Sequence, residues 1–282
     1  MIKLKSWKIL KTVRTKPLVI DFLNLARTLL ASDAIIADYI VADLLHVPLT
    51  HLPCYYQLPF DEFPTAQIWL RKFLDGVPYQ YISHQAYFYD LDFYVDQRVL
   101  IPRPETEELV AWVLRLYDNY PLKVLDLATG SGAIGITLKK HRPQWQVTAS
   151  DVSVAALQVA KKNAQKNQVT INFVLSNLFQ KIKGKYDLIV TNPPYVSSSE
   201  IDEMDSRVLD YEPPLALFAP NSGLYFYEKI YQLIQNYLDT RGSLFMEFGF
   251  KQKKNLEKIF KEGQLVFKTD LAGHDRMLWW RK

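Results

Sequence analysis

Residues Val124–Ile136 read VLDLATGSGAIGI. An apolar run, Val124-Leu125-Asp126-Leu127, enters a short loop holding Gly130-Ser131-Gly132, and a helix-like stretch begins there. Strand, tight turn and helix in that order form the opening unit of an alternating α/β fold. Glycines let a ligand come close to the backbone, and a helix start offers free N–H groups to an anion or carboxylate. The next strand-like run ends at Asp151, 21 residues after Gly130. An acid there is placed to accept hydrogen bonds from ribose hydroxyls. Gly130, Gly132 and Gly135 also satisfy G-x-G-x-x-G, the dinucleotide pattern, which is weak on its own. NAD and S-adenosylmethionine (SAM) compete for such a loop, and a tight turn without any ligand is the third reading.

Working outward, apolar strand-like runs occur at 123–128, 146–151, 171–176, 186–192, 242–249, 265–271 and 276–282. Helix-like segments fall at about 105–118, 132–141, 153–167, 224–238 and 251–262. The alternation predicts a doubly wound, Rossmann-like α/β domain with a mostly parallel seven-stranded sheet. Only "AGHD" separates the last two runs. That is too short for a parallel crossover, so the last strand is predicted to be antiparallel.

Upstream, residues 1–85 read as a small helical domain, with apolar residues spaced by three and four in LVIDFLNLARTLL and DAIIADYIVADLLHV. Ser32 is placed to cap the second helix and Pro48 follows its end. Pro59 and Pro64 are read as breaks before AQIWLRKFLDG, which Gly76 stops. Residues 87–101, YFYDLDFYVDQRVLI, read as a hairpin turning near Asp90-Leu91-Asp92. The predicted domains are 1–85 (substrate recognition), 86–103 (hairpin linker) and 104–282 (catalytic).

Composition narrows the class. One cysteine, Cys54, excludes both a disulfide framework within the chain and a cysteine-rich zinc site, and no metal is expected. The N-terminus has six basic residues in its first 16 and lacks the apolar core of a signal peptide. The longest apolar stretch is broken by Asp38 and Asp43, too soon for a membrane span. A cytoplasmic location without membrane attachment is expected. The net charge is only +4, with no dense basic face. No stable nucleic-acid binding is therefore expected.

A second motif, YDLIVTNPPYVSSSE, spans Tyr186–Glu200. Its apolar strand ends in Asn192-Pro193-Pro194-Tyr195, and two prolines in a row leave carbonyls with no N–H between them. A tight turn is the plain reading. In an open α/β sheet, however, ligands bind at the carboxyl ends of the strands, near the point where strand order reverses. The glycine loop and this patch both lie at such ends. An NH2 group has two N–H bonds to place: the Asn192 side-chain oxygen takes one and the Pro193 carbonyl the other, while Tyr195 stacks on a flat amide or base.

Asp126, inside the first strand, favours SAM over NAD, because D-x-x-T-G-S-G resembles SAM-binding loops and NAD loops usually follow a purely apolar strand. With NPPY after a strand, the chain resembles the amino methyltransferases, which act on adenine or cytosine in DNA, guanine in RNA, or glutamine in proteins. VPYQYI at 77–82, VLIPRPETEELV at 99–110, LDLATGSGAIGI, NPPYV and YEPPLAL at 211–217 together are similar to the peptide chain release factor glutamine methyltransferases. That resemblance runs from about residue 77 to the C-terminus; the helical start matches only loosely.

The resemblance implies SAM as methyl donor, held by Ala128, Thr129, Gly130, Ser131, Gly132, Asp151, Asn177, Leu178 and Asn192. It implies acceptor contacts at Asn192, Pro193, Pro194 and Tyr195, with Asn192, Pro193 and Tyr195 serving catalysis. The implied partner is a release factor, methylated on the glutamine of a Gly-Gly-Gln loop. A base in nucleic acid, or a ribosomal-protein glutamine, is the alternative acceptor. The RPETE loop would close over the donor, unless Arg103 and Glu105 merely form a surface ion pair. Glu247, at a later strand end, faces the crevice or serves the core. The chain departs from the family's pattern at Ala128 and Asp90, where glycine is usual, and at Asn177, where aspartate is usual.

Overall fold

A computed structural model describes residues 16–282. Apart from Lys16, the basic N-terminal run lies outside the described residues. The chain divides into two compact units between Ser83 and His84.

The first unit is helical: α1 (Val19–Leu30), α2 (Ile35–Leu45), α3 (Phe63–Leu74) and the short α4 (Tyr79–Ser83). α1 buries Val19, Phe22, Leu23, Ala26 and Leu30, the spacing of a one-faced helix. These residues share a core with Ile40, Val41, Leu52, Phe60, Phe63 and Leu70. Phe22 meets Phe60 and Phe63 edge to face, both at 5.7 Å between centroids. Ser32 does not cap α2; it lies in a 3-10 turn, Ala31–Asp33, and the helix begins after Ala34. Pro64 belongs to the first turn of α3 instead of breaking the chain before it, a position where no N–H is needed. Among the described residues no single helix is long and apolar enough to cross a membrane.

The second unit opens with a hairpin, β1 (Ala86–Phe88) and β2 (Leu91–Phe93). α5 (Pro104–Leu116), β3 (Lys123–Leu127), α6 (Ala133–His141), β4 (Gln146–Asp151), α7 (Val154–Lys166), β5 (Asn172–Leu175) and β6 (Tyr186–Thr191) follow. Then come α8 (Ser206–Tyr211), α9 (Pro214–Leu217), α10 (Tyr225–Ile234), β7 (Leu238–Glu247), α11 (Lys253–Ile259), β8 (Gln264–Thr269) and β9 (Asp275–Arg281). The seven-stranded sheet has the order β5-β4-β3-β6-β7-β9-β8. β9 runs antiparallel to both β7 and β8, as the short AGHD connection predicts.

Both faces of the central strands are covered, which is why β3, β6 and the end of β7 read as apolar runs, whereas the edge strands β5 and β8 are partly exposed. Val124, Leu188, Val190 and Phe245 pack against Leu109 and Val113 of α5 and Leu138 of α6. Their sequence neighbours Leu125, Ile189, Leu244 and Met246 face Tyr227, Ile230 and Ile234 of α10. Strand order reverses at the β3–β6 pair, where Leu127 lies opposite Thr191. The loops beginning at Ala128 and Asn192 therefore leave the sheet side by side.

Three further expectations change. The hairpin covers 86–93, not 87–101. Its turn residues Tyr89 and Asp90 both have positive φ (49° and 62°), the twist a two-residue hairpin turn needs. The partner strand leaves the pleat at His84 (φ 57°), where only a long bond remains, Val95 N–H to His84 O at 3.4 Å. Tyr94, whose N–H and C=O point away from β1, is bound instead by Asn163: Tyr94 N–H donates to Asn163 Oδ1 at 2.6 Å, and Asn163 Nδ2 donates to Tyr94 O at 2.9 Å. β7 starts at Leu238, not 242, with a register break opposite Tyr186–Leu188. The stretch 198–217, read without any element, holds a 3-10 turn (Ser198–Glu203), α8 and α9.

Candidate functional site

A crevice in the second unit opens at the carboxyl ends of the strands. Ala128, Thr129, Gly130 and Ser131 line it, together with Asp151, Asn177 and Leu178. Asn192 and Pro194 line it as well. Gly132, Pro193 and Tyr195 do not.

The loop end rests on buried Asp126. Its Oδ2 accepts from Thr129 Oγ1 at 2.5 Å and from the Gly135 N–H at 2.8 Å, while Oδ1 has no partner. Burial pushes this carboxyl up to about 7, against the pull of those two hydrogen bonds. Asp126 thus holds the loop's shape and does not face the crevice. Ala128 sits at φ +60°, so the alanine found where glycine is usual carries left-handed strain. Gly132 also needs positive φ (85°), and a Cβ there would meet Ile136 Cδ1 at 2.7 Å.

Asp151 ends β4 at the crevice. Gly130 N–H donates to its Oδ2 at 2.9 Å and Ser153 N–H to its Oδ1 at 2.8 Å. Burial raises its affinity for a proton, and the N–H groups of Ser153, Gly130 and Val152 oppose this. The carboxylate is fixed in place and keeps lone pairs for hydroxyl donors.

At the other end, Asn192 Nδ2 donates to Thr106 Oγ1 at 3.1 Å. Thr106 Oγ1 donates to Glu247 Oε2 at 2.5 Å, and Tyr195 OH donates to Glu247 Oε1 at 3.3 Å. Thr106 and Glu247 are buried. Burial pushes the Glu247 carboxyl up to about 7, and the Tyr195 hydroxyl rises for the same reason. Asn192 Oδ1 receives no hydrogen bond from the described residues, and neither does the Pro193 carbonyl. This end therefore carries two unused hydrogen-bond acceptors, of which Asn192 Oδ1 belongs to a crevice-lining residue.

Arg103 does not pair with Glu105. It binds Glu212, which is buried and also accepts the Ile101 N–H at 3.2 Å. The IPRPETE and YEPPLAL segments are thus tied to each other. Thr106 and Glu212 were not singled out from sequence. The only signal was that each lies inside a motif of the resemblance, beside residues that were.

A family profile described as the Methyltransferase small domain matches residues 111–209. The release factor glutamine methyltransferase of Lactococcus lactis subsp. lactis (strain IL1403) is 47% identical over 205 residues, covering 71% of this chain and 76% of that protein. The protein of the same name from Streptococcus pneumoniae (strain ATCC BAA-255 / R6) is 44% identical over 205 residues, covering 71% and 74%. A crystal structure of a methyltransferase from Pyrococcus furiosus superposes with a TM-score of 0.52 at 15% identity, covering 78% of this chain and 98% of that one. That likeness bears on the fold alone. With relatives this similar across more than two thirds of its length, the chain belongs to the release factor glutamine methyltransferase family.

Proposed function

We propose that this enzyme transfers a methyl group from SAM to the side-chain amide nitrogen of a glutamine in a peptide chain release factor. The observation that carries the reading is the acceptor pair, Asn192 Oδ1 and Pro193 C=O, beside a glycine loop at the reversal of strand order.

The donor end fits SAM. A Cβ at Gly130 would meet nothing within 4 Å, so the backbone there fronts open space. Asp151 is fixed with lone pairs free for two ribose hydroxyls. Ala128–Gly132 would hold the amino acid end, and Asn177 and Leu178 the adenine. When bound, SAM supplies an electrophilic methyl group on sulfur.

The acceptor needs help, because an amide nitrogen shares its lone pair with the carbonyl; the rotation barrier this creates is about 18–20 kcal/mol in peptides. Asn192 and Pro193 accept the two N–H bonds and aim the nitrogen. They also favour the positive charge that grows on it. Pro194 would wall the amide, while Tyr195, which does not line the crevice, holds Glu247. The nitrogen forms its N–C bond as the donor's S–C bond breaks, and one N–H proton leaves to solvent. No strong base is required, since a methylated, positively charged amide is very acidic.

A protein acceptor is favoured over nucleic acid by charge. The segment running into crevice-lining Pro213 carries exposed Asp202, Asp205 and Asp210, besides Glu203, which pairs with Lys251. Phosphates would be repelled there. The unit before residue 84, which carries none of the motifs assigned to chemistry, is assigned to recognition of the release factor.

The test is tritium transfer from labelled SAM to purified release factor, run beside DNA, ribosomal RNA and ribosomal protein. Label on the release factor, lost when its Gly-Gly-Gln glutamine is replaced by Glu, supports the reading. Label on nucleic acid alone overturns it.

A further inference from the structure

We infer that Thr106 and Glu247 are positioning residues that dictate which end of the Asn192 carboxamide faces the crevice, and so make the site accept a carboxamide and refuse a carboxylate. The inference rests on the role given to Asn192 above.

A carboxamide has two ends of nearly equal size and opposite hydrogen-bonding character. Turned one way, Asn192 shows the crevice an acceptor. Turned the other way, it shows an NH2, which opposes a substrate NH2 donor to donor and would welcome a carboxylate. Something must choose between these, and neither the glycine loop nor the prolines can. The choice is made by Thr106, at the crevice wall, and by Glu247 behind it. Thr106 has one proton, and Glu247 Oε2 takes it at 2.5 Å. Thr106 therefore has only lone pairs left for Asn192, whose Nδ2 approaches to 3.1 Å. A flipped Asn192 would set its oxygen against those lone pairs, without a donor to satisfy it.

Glu247 is held in turn. Its second oxygen accepts from Tyr195 at 3.3 Å, and it is 1% exposed. The donors run one way, from Asn192 to Thr106 to Glu247 and from Tyr195 to Glu247. The three links come from the first turn of α5, the loop after β6 and the end of β7, so the arrangement is set by the tertiary fold. A hydrophobic trio would join these elements as well. A buried carboxylate adds a direction to the hydrogen bonds, which hydrophobic packing cannot.

The test uses the full-length enzyme with Thr106→Val, which keeps the shape and removes the hydroxyl, and Thr106→Ser, which restores it. Two release factors are used: the natural one as substrate, and its Gln→Glu variant as inhibitor. With Thr106→Val, kcat is expected to fall about 10²-fold, the scale of one misdirected transition-state contact, with SAM affinity unchanged. The Gln→Glu protein, a poor inhibitor of the wild type, should inhibit Thr106→Val about tenfold better, because a free Asn192 can turn its NH2 toward the carboxylate; tenfold corresponds to 1.4 kcal/mol. Thr106→Ser should restore both values. A purely structural role would lower activity without changing the Gln-to-Glu preference. If Thr106→Val loses SAM binding through misfolding, Thr106→Ala replaces it with the same expectations. An unchanged preference in a folded hydroxyl-less variant overturns the inference, even while the wild type still methylates the release factor. A wild type that ignores the release factor overturns the function above as well.

Discussion

The two ends of the crevice are made of different material. At the loop end, most of the donors that shape the surface come from the backbone: the N–H groups of Gly130 and Ser153 hold Asp151, and the Gly135 N–H holds Asp126, joined by one side-chain donor, Thr129. At the Asn192 end, side chains from distant parts of the chain hold one another, Thr106 being 86 residues from Asn192 and 141 from Glu247. A backbone-built site is robust to neighbouring substitutions, because the chain itself supplies the donors. A site built from side chains can be tuned by one atom, and fails by one atom.

The strongest test of this contrast is a crossed pair. Asn192→Ala should reduce methyl transfer about 10²–10³-fold, as expected for removal of one transition-state contact, with SAM affinity nearly unchanged. Asp151→Ala should do the reverse. It removes charge-assisted hydrogen bonds that contribute about 1.5–3 kcal/mol each, so SAM affinity falls at least tenfold while turnover at saturating SAM changes little. Calorimetry and single-turnover transfer measure the two quantities separately. If both variants lose both properties equally, the ends are not independent.

The same contrast explains what sequence could reveal. Backbone-built features are contiguous: VLDLATGSGAIGI carries its strand, loop and buried Asp126 within 13 residues, and NPPY its acceptors within four. The mostly parallel sheet followed from the alternating runs and its antiparallel last strand from the shortness of AGHD; the order of the strands did not. The Asn192–Thr106–Glu247 linkage could not be read in this way, since nothing in a linear pattern says which side of a threonine meets a glutamate. Arg103 was visible as a candidate, but its partner Glu212 lies 109 residues away. The hairpin is shorter than its β-propensity suggests because its first strand begins only after His84, which is left-handed, and the pattern along 87–101 carries no trace of that.

A smaller effect separates two glycines of the loop. Gly130 has φ +55° and open space at its Cβ position, so Gly130→Ala costs mainly the left-handed strain, roughly 1–2 kcal/mol. The new methyl points into the crevice, and SAM affinity should suffer more than stability. Gly132→Ala carries the same strain and adds contacts at 2.7 Å to Ile136 and 3.2 Å to Ala160. Overpacking adds about 1–3 kcal/mol. Thermal unfolding should show Gly132→Ala as the less stable variant, and SAM titration at low temperature should show Gly130→Ala as the poorer binder. The opposite ranking in both would mean that the open space at Gly130 is not where the donor lies.

The smallest predicted effect is on pH, and it acts oppositely on rate and stability. Glu247 is faced by Thr106 and Glu105 from α5, Tyr195 from the loop after β6, and Arg276 from β9. Burial dominates and sets its carboxyl at about 7, while Thr106, Arg276 and Tyr195 pull downward and Glu105 pushes upward. Once protonated, Glu247 brings a proton of its own. It can donate to Thr106, whose proton is then released toward Asn192 and favours the flipped carboxamide. Methyl transfer should thus fall as pH drops through about 7, by roughly tenfold between pH 8 and 6 for one proton on a group of that affinity. Stability moves the other way. A carboxyl raised from its ordinary 4.5 binds a proton more tightly folded than unfolded. Its contribution is most favourable below about 4.5 and is lost as pH rises toward 7. Asp126, also raised to about 7, adds a loss of the same sign. In Glu247→Gln the rate should lose this pH dependence, whereas the stability curve should flatten only in part, because Asp126 remains. A Glu247→Gln enzyme whose rate still falls tenfold from pH 8 to 6 would place the titrating group elsewhere and remove Glu247 from control of the acceptor end.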